Sequence, residues 1–150
     1  MSMKFLVGSI IFLLTVNGCS CYMNKINSTP QQIVDGLSYV TMRRVGPSAQ
    51  EVQKGQRITV HYTGWLADKN GDLDRNKRFD SSIERGVPFT FVVGGGQVIE
   101  GWDKGVVGMK IGEKRRLIIS PALAYGPRGV PGVIPGNATL IFDIELIAIN

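Results

Sequence analysis

Gly94-Gly95-Gly96-Gln97-Val98-Ile99-Glu100-Gly101-Trp102 opens with three glycines and closes on a tryptophan. Glycines supply backbone conformations that other residues resist, so the stretch starts as a tight turn. Ile99, Trp102 and Val106, with Val107 beside them, then recur at helical spacing and predict a short helix beginning near Ile99. So short a helix is marginal alone and has to be held by tertiary packing. The expectation is a helix that plugs a sheet built from the rest of the chain, with Trp102 as the floor of an apolar pocket.

Around this stretch the two-residue period of strands prevails. Upstream, Ile58, Val60 and Tyr62 alternate with Arg57, Thr59, His61 and Thr63, and Gly64-Trp65-Leu66 continues the run. Pro88 to Val93 is a second strand, with Phe89, Phe91 and Val93 on one side. Leu37 to Arg43 precedes them, ended by Val45-Gly46-Pro47. Asp68 to Arg78 reads as a charged surface loop. Downstream, Lys114 to Ile119 forms a strand, and Leu140, Phe142, Ile144 and Leu146 face one way along Ala138 to Ile149. Pro121 to Gly136 is a glycine- and proline-rich loop, which a compact domain rarely carries without a use. Strands with one good helix and no βαβ alternation indicate an antiparallel α+β domain.

The chain has 150 residues, enough for one domain with a core, and a formal charge of +5. Lys114-Arg115-Arg116 is its only tight basic run, and it reads as a solvated strand end. With no basic stripe or interleaved aromatics, no nucleic-acid partner is expected.

The first residues stand apart. Lys4 precedes a 12-residue apolar run from Phe5 to Val16, FLVGSIIFLLTV. A membrane span needs about 20 residues, so the run suits a signal-peptide core. Val16-Asn17-Gly18-Cys19 then resembles a bacterial lipobox, although Asn17 is an unusual residue there. An ordinary secretory leader or an uncleaved anchor are the alternatives. The lipobox reading divides the chain into a signal peptide (residues 1–18), a lipidation site at Cys19 with a polar tether to Asp35, and a domain over residues 36–150. It expects a lipid-anchored protein of the cell envelope. Cys19 and Cys21 are the only cysteines, so the domain holds no disulfide and no zinc-ligand set.

Chemistry is narrowed by what is missing. Hydrolase chemistry needs a base beside its nucleophile. The single histidine, His61, lies in mid-strand and reads as a satisfied strand residue. Asp143 and Glu145 alternate with apolar residues and are expected to face solvent, not to form a paired-carboxylate site. The triple glycine lacks the lysine and hydroxyl residue of a phosphate loop. What remains is a concentration of aromatic and aliphatic residues near loops: Tyr62, Phe79, Phe89, Val98, Ile99, Trp102, Tyr125, Ile134 and Phe142. Singly, each reads as core.

Taken in order, His61-Tyr62-Thr63-Gly64, Phe79-Asp80-Ser81-Ser82, Val98-Ile99-Glu100-Gly101-Trp102, Ala124-Tyr125-Gly126, Ile134-Pro135 and Ala138 to Leu146 resemble the FKBP-type peptidyl-prolyl cis-trans isomerases, in register from about Gly36 to Ile149. The resemblance implies a five-stranded antiparallel sheet curled around one short helix. It also implies a pocket that accelerates rotation about prolyl bonds without metal or cofactor. By position, Tyr62, Phe79 and Phe142 match the family's aromatic walls and Trp102 its floor. Phe89, Val98 and Ile99 match the rim, where the Ile99 backbone would bond the bound peptide. Asp80 matches a buried acid at the pocket edge, and Tyr125 a loop tyrosine whose hydroxyl reaches a ligand carbonyl. Val133 and Ile134 match the aliphatic lip. Val130 stands where well-known members have histidine, and Gly136 where proline is frequent. Expected partners are proline-containing polypeptides, the family's macrolide inhibitors and, through the anchor, a membrane; a monomer is expected. A binding module that uses the same pocket to hold unfolded chains, or an envelope scaffold, are the rival readings.

Overall fold

The computed structural model describes residues 29–150. In chain order it contains β1 (Gln31–Val34), β2 (Leu37–Arg43), β3 (Arg57–Ala67), β4 (Leu73–Ser81), α1 (Ser82–Arg85), β5 (Phe89–Val92), α2 (Glu100–Gly105), β6 (Lys114–Ile119), a 3-10 turn over Pro121–Leu123 and β7 (Leu140–Ile149). The strands form one sheet in the order β1-β2-β6-β7-β3-β4, with β5 also paired to β3, and every pairing is antiparallel. The α+β architecture is as expected, but the sheet has seven strands where five were anticipated.

The two additional strands arise from polar segments. Residues 31–34, read as part of the tether, pair with β2 as an edge strand. The charged stretch read as a loop between Asp68 and Arg78 is largely β4, at the opposite edge. Its pairing with β3 slips between Trp65↔Arg78 and Ala67↔Leu73, which leaves residues 74–77 as a bulge. Charged side chains and bulges are how proteins keep exposed sheet edges from pairing with other chains. Hydrophobic alternation does not reveal a strand of four residues such as β1, or one as charged as β4. The stretch read as a signal peptide, with Cys19 and Cys21, lies outside the described residues.

One face of the sheet carries the core. The registers place Tyr62 opposite Ile144, Gly64 opposite Phe142 and Leu117 opposite Phe142, so Phe142 sits in a row between Leu117 and Gly64. Ile58, Val60, Leu117, Ile119, Leu140, Ile144 and Leu146 share this interior and are fully buried. Arg115 falls on the same side by strand parity, which is why it is buried and not the solvated strand end expected. Its Nε donates to the equally buried Glu113 at 3.0 Å, and its Nη1 donates to the carbonyls of Gly105 and Val107. Those carbonyls belong to the end of α2 and the residues after it, so Arg115 satisfies acceptors that a helix terminus leaves open. On the outer face Asp143 is also buried, contrary to expectation, because Arg116 grips its two oxygens at 2.6 and 2.9 Å. The neighbouring Glu145 pairs with Arg43.

The short helix lies close on β6 through two glycines. A Cβ on Gly101 would stand 2.4 Å from Ile119 Cγ2, and one on Gly105 would stand 2.5 Å from Leu117 Cδ1. Trp102, between them, is buried among aromatic rings. The triple-glycine turn is tied to the same helix, since the Asp103 carboxylate accepts from Gly94 N at 2.8 Å and Gly96 N at 3.0 Å. Gly94 and Gly96 both take positive φ, where a side chain would be strained. Val107, which the helical spacing left open, is exposed beyond the helix end. Alanine is ordinarily the better helix former, yet Gly101→Ala should lower stability by about 1–3 kcal/mol through overpacking. Urea denaturation will check this, and a neutral or stabilising result would mean that the helix does not rest on β6 as described.

Candidate active site

Ten residues enclose a cavity of about 180 Å³: Tyr62, Phe79, Asp80, Phe89, Gln97, Val98, Ile99, Trp102, Tyr125 and Phe142. They come from β3, β4, β5, the turn into α2, α2 itself, the long loop and β7. All nine residues expected in the walls, floor, rim and edge are therefore brought together, and Gln97 joins them. Val133 and Ile134 do not line the cavity. Val133 is exposed on the loop, while Ile134 is 5% exposed and packs into the core.

The floor and walls are arranged edge to face. Trp102 meets Tyr62 at 5.0 Å between ring centres and Phe142 at 5.1 Å, with interplanar angles of 81° and 89°. Phe79 meets Phe142 at 5.5 Å and 88°. These are the orientations that ring quadrupoles favour, each stabilising by about 0.5–1.5 kcal/mol beyond burial. The Trp102 Nε1 is buried with no hydrogen-bond acceptor among the described residues. Gly64 makes the ring arrangement possible. A Cβ there would lie 2.6 Å from Phe142 and 2.7 Å from Phe79, so only the absence of a side chain lets both rings close over β3.

One edge of the basin is polar. The Tyr62 hydroxyl donates to Asp80 Oδ2 at 2.5 Å, Arg85 Nη2 donates to the Tyr62 oxygen at 2.9 Å, and Arg85 Nη1 pairs with Asp80 Oδ1. Local sequence sets this geometry. The Ser82 hydroxyl accepts from Tyr62 N at 2.8 Å and lies 3.0 Å from His61 Nδ1, and Ser81 lies 3.0 Å from the Thr63 hydroxyl. Two serines thus fasten the segment after Asp80 to the strand that carries Tyr62, and α1 starts there and delivers Arg85. His61 is a strand residue bonded to serine, as its position suggested. Arg85 was not singled out in the sequence; a base five residues beyond an acid, across one helical turn, was the available signal.

Burial raises the Tyr62 phenol, as does its bond to Asp80, while Arg85 opposes both. For Asp80 burial also pushes upward, but the bonds from Tyr62 and Arg85 together outweigh it and hold the carboxyl below its ordinary range. Its side chain is 36% exposed, so it is less deeply buried than expected. Tyr125 is raised by burial and by the Asp80 charge. Asp80 is therefore an anion and Tyr125 a neutral donor at neutral pH.

The Tyr125 loop is closed on itself. Gly126 N donates to Pro121 O, Asn137 N to Gly126 O, and Val130 and Ile134 exchange backbone bonds of 2.8 Å. A Cβ on Gly129 would stand 2.2 Å from Ile134 O. Gly136, where proline is frequent in the family resembled, is pressed so near Pro127 that a Cβ would stand 2.1 Å from its carbonyl oxygen. A wider groove of about 730 Å³ runs between the β1–β2 hairpin and α2, but Glu100 pairs with Lys104 there and Arg115 with Glu113. Its aromatic lining is Tyr39 alone, so the smaller cavity is the candidate site.

Comparison with known proteins agrees with this geometry. Residues 48–147 match the FKBP-type peptidyl-prolyl cis-trans isomerase family. FK506-binding protein 1A of Neurospora crassa is 49% identical over 117 residues, covering 78% of this chain and 91% of the relative. FK506-binding protein 2 of Dictyostelium discoideum is 55% identical over 100 residues, covering 67% and 70%. A peptidyl-prolyl cis-trans isomerase of Schizosaccharomyces pombe is 57% identical over 96 residues, covering 64% and 80%. The chain belongs to the FKBP-type peptidyl-prolyl cis-trans isomerases, a family that binds proline-containing substrates and FK506-type macrolides.

The same kinship corrects the reading of the leader. A lipobox is a bacterial device, whereas these relatives are fungal and amoebal FK506-binding proteins. The expected bacterial lipoprotein, anchored through Cys19 in a cell envelope, is overturned by that finding.

Because the folded Asp80 titrates below its unfolded value of about 3.9, the stability it contributes is complete above that value. It is lost as pH falls through the lowered folded value. Arg85→Met removes one of the groups that lower it, so the Asp80 titration followed by carboxyl NMR should move upward. An unmoved titration would mean that Arg85 does not govern the charge at this edge.

Proposed function

We propose that the cavity holds a substrate proline ring between Tyr62, Phe79, Phe89 and Phe142, over Trp102. In this reading Tyr125 orients a neighbouring carbonyl by donating to it and Asp80 holds the Tyr62 wall in place, while Val98 and the Ile99 backbone align the chain. The observation that carries it is the combination of a small aromatic basin with a single polar edge and no nucleophile–base pair lining it.

Such a site suits a reaction in which no bond is made or broken. Rotation about a peptide bond faces a barrier of about 18–20 kcal/mol because twisting destroys amide resonance. The planar amide carries separated charge and is stabilised by water. The twisted amide has lost much of that polarity, so a dry aromatic basin disfavours it less. Binding the twisted form better than the planar one lowers the barrier. Excluding water from the carbonyl acts in the same direction. Each 1.36 kcal/mol gives about tenfold in rate, so several modest contacts suffice. Tyr125, as a neutral phenol, can donate to a carbonyl oxygen. The Asp80 anion, held by Arg85 and Tyr62, fixes the phenol of Tyr62 so that its ring stays a wall. FK506-type macrolides would occupy the same basin.

A proline-containing tetrapeptide assay tests this. Asp80→Val and Phe142→Tyr should each lower kcat/KM by about tenfold or more, beyond any loss of folding stability measured on the same samples. An FK506-type macrolide should abolish wild-type turnover. Turnover unchanged in both variants would contradict this assignment of the site.

A further inference from the structure

Among the described residues, large apolar side chains exposed to solvent include Ile83 at 56%, Val87 at 63% and Phe89 at 37%. Scattered exposed apolar residues need no explanation, but a cluster does. These three fall within one seven-residue stretch, and Phe89 is already part of the cavity lining. Pro88 biases Val87 toward extended backbone, and the chain enters β5 two residues after Val87, at Phe89 in the cavity wall. Residues two apart in an extended segment are about 7 Å apart, so Val87 lies within that reach of Phe89. Ile83 lies on the preceding turn, where Gly86 N bonds Ile83 O and Val87 N bonds Ser82 O. The charges of that turn are engaged elsewhere: Glu84 pairs with Arg78, and Arg85 with Asp80. What the turn offers a ligand is exposed apolar surface, reaching to within two residues of Phe89 in the basin wall.

We propose that Ile83 and Val87 form a secondary docking shelf for the client chain, which receives a large apolar residue about two to four positions from the proline in the cavity. The occupant is an extended, unfolded segment of a substrate polypeptide. The shelf extends the cavity assigned above and rests on that assignment. It selects prolines embedded in apolar sequence, the kind that an unfolded chain exposes and a native surface hides. Ile83 and Val87 set client preference and take no part in rotating the bond.

The test compares the wild type with I83S/V87S on three substrates: a tetrapeptide too short to leave the basin, and two longer proline peptides with either leucines or serines at positions two to four from the proline. The wild type should favour the leucine peptide over the serine peptide through a lower KM. The double variant should lose that preference by roughly tenfold, the scale of a lost apolar contact, with tetrapeptide turnover unchanged. Equal leucine preference in both proteins overturns the shelf, as does a loss on the tetrapeptide that matches the loss on the leucine peptide. Failure of the underlying site assignment reads differently, as wild-type turnover that an FK506-type macrolide does not inhibit. Thermal melting of both proteins separates these outcomes from a fold defect.

Discussion

Everything at the site depends on the close contact between a six-residue helix and a strand. Gly101 and Gly105 let the backbone of α2 come near Ile119 and Leu117, and Arg115 reaches from the same strand to the carbonyls at the helix end. A helix of this length has no independent stability. Its position is imposed by the sheet, and Trp102 inherits that position. Were α2 displaced outward by one methyl group, the indole would rise into the basin and the walls would no longer close around it. The small residues on α2 and the large one between them are thus parts of a single requirement.

The opposite wall obeys a similar constraint. Phe142, near the start of β7, needs space over its neighbour on β3, which Gly64 supplies. Phe79 comes down beside it from β4. The polar edge is built by another device: a carboxylate, a phenol and a guanidinium compensate one another on the rim, with hydroxyls of Ser81 and Ser82 holding the strand and turn in place. Desolvation of one charge is tolerable because the others satisfy it. The basin can therefore stay apolar to within one ring of a fixed anion, which is what a reaction losing polarity in its transition state requires. The Ile83–Val87 turn extends that apolar character outward, past the same guanidinium, because Arg85 spends its charge inward.

Much of this was legible from residue order. Strands with one buried face announce themselves by alternation, and β2, β3, β6 and β7 follow Leu37–Arg43, the Ile58-Val60-Tyr62 register, Lys114–Ile119 and the Leu140-Phe142-Ile144-Leu146 row. The site was legible because its aromatic residues sit in motifs whose order is specific to one family. The edge strands were not: β1 and β4 bury little, so neither face shows a pattern, and charge at an edge reads as loop. Arg115 and Asp143 were misjudged because composition suggested solvent where parity and a partner decided burial. The contacts of Arg85 and the steric role of Gly64 were hidden for a related reason. Gly64 matters because of the Phe142 and Phe79 rings on the two strands paired with its own, which local sequence does not show, and Arg85 because of partners back across the turn, where only its spacing from Asp80 hints at the contact. The leader misled differently. Its residues fit a bacterial pattern locally, while the remainder of the chain has fungal and amoebal kin.

The central claim is that this pocket accelerates rotation by preferring a less polar, twisted amide, with no proton or covalent bond in transit. The most direct measurement is kcat/KM for a proline tetrapeptide in H₂O and in D₂O under otherwise identical conditions. A rate ratio close to unity is predicted. A ratio of about two or more would place a proton in motion in the transition state, and would contradict the account by making Tyr125, Tyr62 or Asp80 an acid–base catalyst in a site described here as one that only binds.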